Sequence, residues 1–307
     1  MNDTVGIVGS GRMAQAMARL LHLRGERVVG VAGRTRAHVE QAAHFIGTGV
    51  DVLDLGTLVR RSQSILIAVS DDALHETARQ LAEVGMRSGV AIHTAGVHGP
   101  EALEILAGQG VSCGSLHPLQ SVASPPQGVR DLVGAWFAVA ACGSAGETAR
   151  RWVSRLEGHL ILLSPGGNPL YHAAAVMVSN YTTALLAAAL ELMDAAGIDE
   201  EAARRCLGPL ARTSLQNALK DGPVSALTGP VMRGDARTIL LHLEAMQNFR
   251  VPETVRDLYR AAGMQAARVA GLGGLPVEAL QAVQETLKGE AHATGPSSRS
   301  ESHETAR

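Results

Sequence analysis

Lysine is almost missing from this chain: of its 27 basic residues, only Lys220 and Lys288 are not arginine, so chemistry that needs a lysine anywhere else is excluded. Aromatic residues are scarce as well, with 3 Phe, 2 Trp and 3 Tyr in 307 residues, while glycine numbers 34. An interior with so few large rings must close-pack small aliphatic side chains. Cys113, Cys142 and Cys206 are odd in number and far apart, and they form no CxxC or Cys/His cluster. Neither a disulfide framework nor a zinc site is therefore expected, and a reducing cytosol fits best. Charge is nearly balanced at −2, which removes the electrostatic basis for general nucleic-acid binding. The N-terminus runs straight into Val5-Gly6-Ile7-Val8 without the charged and apolar regions of a signal peptide, so a cytoplasmic protein is expected. One apolar stretch, 173–193, could mimic a membrane span. It is interrupted by Ser179, Asn180, Thr182, Thr183 and Glu191, and reads as a buried helix with no membrane partner.

What is present has a clear order. Short Val/Ile/Leu-rich runs at 4–8, 27–32, 64–69, 90–94, 111–116, 136–140 and 159–163, with a weaker one near Val50, alternate with helix-period stretches. Such alternation predicts an α/β fold, a Rossmann-type doubly wound, mostly parallel sheet. Ser164-Pro165-Gly166-Gly167 breaks regular structure, and beyond it only helical patterns follow, at about 168–196, 199–221, 235–249, 252–271 and 276–288. The expected domains are thus 1–164, a nucleotide-binding sheet domain, and 165–288, an all-α domain for substrate binding and dimerisation. A tail at 289–307, poor in large apolar residues, is expected to be disordered.

The strongest local signal is Val8-Gly9-Ser10-Gly11-Arg12-Met13-Ala14, a G-x-G-x-x-A turn between a strand and an amphipathic run. Gly9 permits the turn, Gly11 lets the backbone approach a pyrophosphate, and Ala14 lets helix and strand pack closely. An NAD enzyme would place Asp or Glu at the end of the second strand. Here stand Arg34, Thr35 and Arg36, donors suited to the extra phosphate of NADP(H), although a solvated basic turn is the plainer reading. Val69-Ser70, with Asp71 or Asp72 as a helix N-cap, and His93-Thr94 end later strands, where a doubly wound sheet opens its ligand crevice. Thr94 is assigned to the cofactor; His93 lines it or fills the core.

Three further tags carry a family resemblance: Ser115-Leu116-His117-Pro118-Leu119-Gln120-Ser121, then Leu170-Tyr171-His172-Ala173-Ala174-Ala175 with Ser179-Asn180, and 226–235 with His242. In order behind the nucleotide motif, they resemble the predicted oxidoreductases that join a Rossmann-like domain to a helical C-terminal domain of unknown function. Their layout is similar to that of ketopantoate reductase, pyrroline-5-carboxylate reductase, and the 6-phosphogluconate and 3-hydroxyacid dehydrogenases. The resemblance implies NADPH-dependent reduction of a small oxo-acid, with ketopantoate the best single guess, in a cleft between the domains. Two departures stand out. Ala95 replaces a frequent serine, and Val176 occupies the slot, four residues before Asn180, where the 3-hydroxyacid enzymes carry lysine.

Reduction needs hydride, a group that protonates the product, and a cation for a substrate carboxylate. His172, Val176, Ser179 and Asn180 are expected on one helix face, with His172 and Asn180 roughly 12 Å apart along the axis. His172 is the first candidate for general acid, His117 its rival, and Asn180 a third catalytic candidate; a histidine hydrogen-bonded between helices is the plainer reading of His172. Gln120, Ser179 and Thr228 are candidate substrate contacts and Arg233 a candidate carboxylate clamp, with Asp235 the expected N-cap of the following helix. Thr238 with His242, and Thr213 with Asn217, are polar i, i+4 pairs. The apolar helices at 168–196 and 252–271 suggest a homodimer. Two other functions remain open: a non-catalytic NADP(H)-binding sensor, favoured by Ala95 and the missing lysine, and hydride exchange between NADP and a deazaflavin.

Overall fold

A computed structural model describes residues 3–289. The disorder expected of 289–307 falls almost entirely outside them. The eight expected strands form: β1 (Thr4–Val8), β2 (Arg27–Ala32), β3 (Asp51–Val52), β4 (Ser64–Ile67), β5 (Val90–His93), β6 (Ser112–Pro118), β7 (Trp136–Ala141) and β8 (His159–Leu162). They make one sheet in the order β3-β2-β1-β4-β5-β6-β7-β8. β1 to β6 run parallel; β7 turns antiparallel to β6, and β8 follows β7. The order reverses at β1, and β4 lies on the other side of it, so the crevice of a doubly wound sheet opens at the carboxyl ends of these two strands.

The strands read as continuous apolar runs because both sheet faces are covered. On one face α1 (Arg12–Leu23), α2 (Arg36–Ile46) and α7 (Gly143–Arg155) bury Ala14, Met17, Val39, Ile46, Ala149 and Trp152. On the other, α3 (Leu55–Arg61), α4 (Leu74–Glu83) and α5 (Glu104–Ala107) bury Leu58, Leu74, Leu81 and Leu106. Small residues set the spacing. A Cβ on Gly128 of α6 (Pro125–Asp131) would stand 2.7 Å from the Ala16 Cβ of α1, closer than any side chain allows. The few large rings are spent here too: Trp152 and Phe137 are fully buried.

The molecule divides into two compact units between Asn180 and Tyr181. The first therefore keeps α8 (Asn168–Val178), one helix beyond the Ser164–Gly167 break at which the sequence suggests a boundary. Asn168 explains the attachment: it is 5% exposed and its amide donates to the His98 carbonyl at 3.0 Å, pinning the start of α8 to the loop after β5. The expected continuous helix at 168–196 is interrupted at Ser179, and α9 (Asn180–Ala195) follows. Ser179 Oγ donates back to the Ala175 carbonyl at 2.9 Å and to Asn180 Oδ1 at 2.7 Å, a local competition with the helix ladder.

The second unit is all-helical: most of α9, then α10 (Glu200–Asp221), α11 (Pro223–Ala226), α12 (Ala236–Asn248), α13 (Glu253–Leu272) and α14 (Val277–Lys288). Ile239, Ala267, Val283 and Leu287 make its small core, with Gly263 leaving room for the Leu287 side chain. Asp235 caps α12, accepting from the Thr238 backbone at 3.0 Å, as its place before the helix suggests. By length and composition the span Asn168–Ala195 could cross a membrane, and none of its most apolar window is buried. Leu170, Met177, Val178, Tyr181, Leu185 and Leu186 are all exposed, so the burial expected of this segment is not met within one chain.

Candidate functional site

A groove of about 610 Å³ runs along the carboxyl ends of β1, β2 and β4. Gly9, Ser10, Gly11, Arg34, Thr35, Val69 and Ser70 line it, together with Asp72 and with His38 and Gln80, which the sequence reading did not single out. Gly9 has φ +119°, and a Cβ there would meet the Ala68 carbonyl oxygen at 2.2 Å, so only glycine fits the turn. Gly11 borders open space, N-caps α1 without a side-chain bond, and is followed by no acidic residue in the first turn. The free N–H groups and dipole of α1 thus face the groove and suit a dinucleotide pyrophosphate.

The basic end of β2 is built the same way. Thr35 N-caps α2 with no side-chain bond and no acid in the first turn, and Arg34 and His38 flank it in the groove wall. No carboxylate follows β2 in the sequence before Glu40, although Asp54, Asp72 and Glu76 line the same groove. Asp72, on the opposite side, has its carboxyl held below the usual range by the Ser70 hydroxyl and, to a lesser degree, by the charge of Arg34. The expected N-capping role does not fall to Asp71 or Asp72. They form a short 3-10 turn, Asp71–Ala73, leading into α4.

Several assigned cofactor residues lie elsewhere. Arg36 is paired with Glu40 at 2.8 Å on the exposed face of α2, outside the groove lining, because the first helical turn carries it away from the strand end. Arg12 donates to the Ala123 carbonyl at 3.0 Å, and Met13 packs against the sheet core. Thr94 is buried, its backbone N–H bonded to the Ile67 carbonyl at 3.0 Å, and does not line the groove. His93 takes the core role: fully buried, it donates from Nε2 to the Gly99 carbonyl at 2.9 Å, and desolvation holds its pKa low.

Farther along the same edge, β6 and α8 bring His117, Tyr171 and His172 together. Asn168 anchors α8, and one turn later Tyr171 and His172 face β6. His117 Nδ1 lies 2.9 Å from the Tyr171 hydroxyl, and the rings of His117 and His172 meet edge to face with centroids 5.7 Å apart. Burial, then the neighbouring His172, pushes the His117 pKa down to about 4; the charge of Asp71 opposes this. Gly96 closes the cluster: a Cβ there would stand 2.5 Å from His172 Cδ2 and 2.8 Å from His117 Nε2. The sequence offered Tyr171 and Gly96 only as letters in motifs, and the signal that could have raised Tyr171 is its place beside His172, three residues after Asn168.

The other assigned residues have partners and surroundings within their own units. Ser179 and Asn180 bond to each other at the helix interruption, and Gln120 is exposed after β6. In the second unit, Thr228 and Arg233 are exposed in the turns before α12, and among the described residues Arg233 forms no ion pair within 4 Å. His242 bonds through Nδ1 to the Tyr259 hydroxyl at 2.8 Å, beside an apolar hollow of about 380 Å³.

Residues 2–118 match the Rossmann-like domain family, and residues 135–266 match a family described as a domain of unknown function, DUF2520. The two matches lie one after the other along the chain. No curated protein matches it. Among solved structures, it is similar to a candidate NADP oxidoreductase of Bacteroides fragilis, at 22% identity and TM-score 0.71, over 88% of this chain and 98% of that one. An imine reductase from Myxococcus stipitatus in complex with NADP+ follows at 17% identity and TM-score 0.66, over 91% and 98%. A reductive aminase from Aspergillus terreus, in complex with NADPH4, cyclohexanone and allyl amine, has 16% identity and TM-score 0.62, over 92% and 99%. At these identities the likeness establishes the fold.

Proposed function

We propose that the protein is an NADPH-dependent reductase of a small carbonyl or imine compound. The observation that carries this reading is the shared edge. A phosphate-suited groove with Arg34, Thr35 and His38 at the end of β2, and a pair of half-buried imidazoles, lie at the carboxyl ends of one sheet, linked by the Ser70-Asp71 turn. The neighbours bound to NADP+ or NADPH4 support the same cofactor.

Bound NADPH supplies the hydride. The N–H groups at the start of α1 hold the pyrophosphate, while Arg34, Thr35 and His38 hold the extra phosphate. The hydride joins the carbon of the reducible bond, and a proton joins its oxygen or nitrogen. His117, kept neutral, serves as a hydrogen-bond donor to that atom; His172 is the candidate proton donor. Among carbonyl substrates an oxo-acid is the first candidate, ketopantoate first among them.

The exposed apolar side chains of α8, and separately those of α9, fit a homodimer, because a monomer seldom leaves large apolar patches in water. Light scattering that returns a monomer rules this out. Function is tested by NADPH oxidation on a panel of oxo-acids including ketopantoate, cyclic imines, and ketones mixed with amines. Turnover of any class supports the reading. NADPH binding without turnover across the panel favours the sensor, for which Val176 and Ala95 already speak.

A further inference from the structure

Among the described residues, the Tyr171 hydroxyl has one hydrogen-bond partner, Nδ1 of His117, and the Nε2 of His117 has none. Nε2 lies close to the Gly96 backbone, where a Cβ would stand 2.8 Å from it. We propose that Tyr171 is the positioning residue of His117: its phenol donates to Nδ1 and fixes the tautomer with the proton on Nε2, so that an N–H is presented to the oxygen or nitrogen of the reducible bond. The proposal rests on the reductase reading and deepens it.

The two tautomers are not equivalent here. If Nδ1–H donated to the phenol oxygen, the phenol proton would lack a protein acceptor among the described residues and the Nε2 lone pair would face the substrate atom that must gain electron density. With the phenol donating, both protons are used and an N–H faces that atom. Burial fixes the proton count: it pushes the Tyr171 phenol up to about 12 and His117 down to about 4, so both are neutral across the middle of the pH range. The groups acting on His117 are Tyr171 and His172 from α8, His93 from β5, and Asp71 from the turn before α4. Asp71 alone favours the charged ring, and burial outweighs it.

Tyr171 makes and breaks no bond in this scheme. As hydride adds to carbon, the π pair moves to oxygen or nitrogen, where Nε2–H stabilises it; the proton that completes the product comes from His172 or water.

The tautomer can be read without turnover. In full-length protein labelled with ¹⁵N-histidine, the His117 resonances are assigned by their loss in His117→Gln. The wild type is expected to show a protonated Nε2 and a hydrogen-bonded, unprotonated Nδ1, and Tyr171→Phe to show mixed tautomers. With an active substrate, Tyr171→Phe is expected to lower kcat about 100-fold, with NADPH affinity unchanged. A wild-type ring protonated at Nδ1, or His117 resonances unmoved in Tyr171→Phe, overturns the proposal; the wild-type spectrum requires no variant to fold. A locked Nε2–H tautomer in a protein that turns over nothing sinks the reductase reading instead.

Discussion

His117 and His172 meet edge to face, with ring planes at 82° and centroids 5.7 Å apart, although 54 residues of chain separate them. One ends a strand and the other begins the second turn of α8, so the pair exists only because Asn168 ties that helix to the loop after β5. Neither ring touches the groove lined by Gly9 and Arg34, and binding and chemistry should therefore separate on mutation. We expect His117→Ala and His172→Ala each to lower kcat by about 10²- to 10⁴-fold while NADPH affinity, followed by fluorescence titration, stays within about twofold. Loss of NADPH binding in both variants would place the pair in the cofactor site.

The same burial makes stability depend on pH. An unfolded chain protonates His117 near pH 6.5, whereas the folded one resists to about 4, so the unfolded state takes up the proton first as pH falls. The contribution is complete above about pH 6.5 and declines as pH falls toward 4. Its full size is about 3 kcal/mol, a ceiling if the site relaxes. His93, also held low by burial, acts in the same direction. Thermal midpoints between pH 7 and pH 4.5 should fall less steeply in His117→Gln than in the wild type; parallel slopes would show that His117 titrates normally.

The strands were legible because a sheet covered on both faces turns each of them into an uninterrupted Val/Ile/Leu run, and the glycine turn because Gly9 and Gly11 answer to local geometry. What sequence could not supply was tertiary pairing. Tyr171 and His117 are joined by a fold-level contact with no fixed spacing, and Arg34 differs from Arg36 only in which way the first turn of α2 rotates each. Ser179 illustrates a third limit. The apolar period runs through it, and only the back-bonded hydroxyl shows that the helix does not.

That difference between neighbouring arginines is testable. Arg34 lines the groove beside Thr35 and His38, while Arg36 is exposed and committed to Glu40. A charge-assisted bond to a phosphate contributes about 1.5 to 3 kcal/mol. Arg34→Ala is accordingly expected to weaken NADPH binding about 10- to 100-fold and leave NADH nearly unaffected, with Arg36→Ala changing neither by more than about twofold. Calorimetric titration of both cofactors decides it, and equal losses in the two variants would return Arg36 to the site.

Gly96 offers the sharpest separation of space from chemistry. Both rings pack against its backbone: a Cβ would stand 2.5 Å from His172 Cδ2 and 2.8 Å from His117 Nε2, distances at which a methyl group cannot sit unless a ring moves. His117 is held by Tyr171, so His172 is the ring expected to yield. Overpacking of this kind typically costs about 1 to 3 kcal/mol, small enough to leave a folded protein. Gly96→Ala should therefore bind NADPH as the wild type does, lose most of its kcat, and melt a few degrees lower. If kcat survives the added methyl group, the placement of the His172 ring does not matter to the reaction.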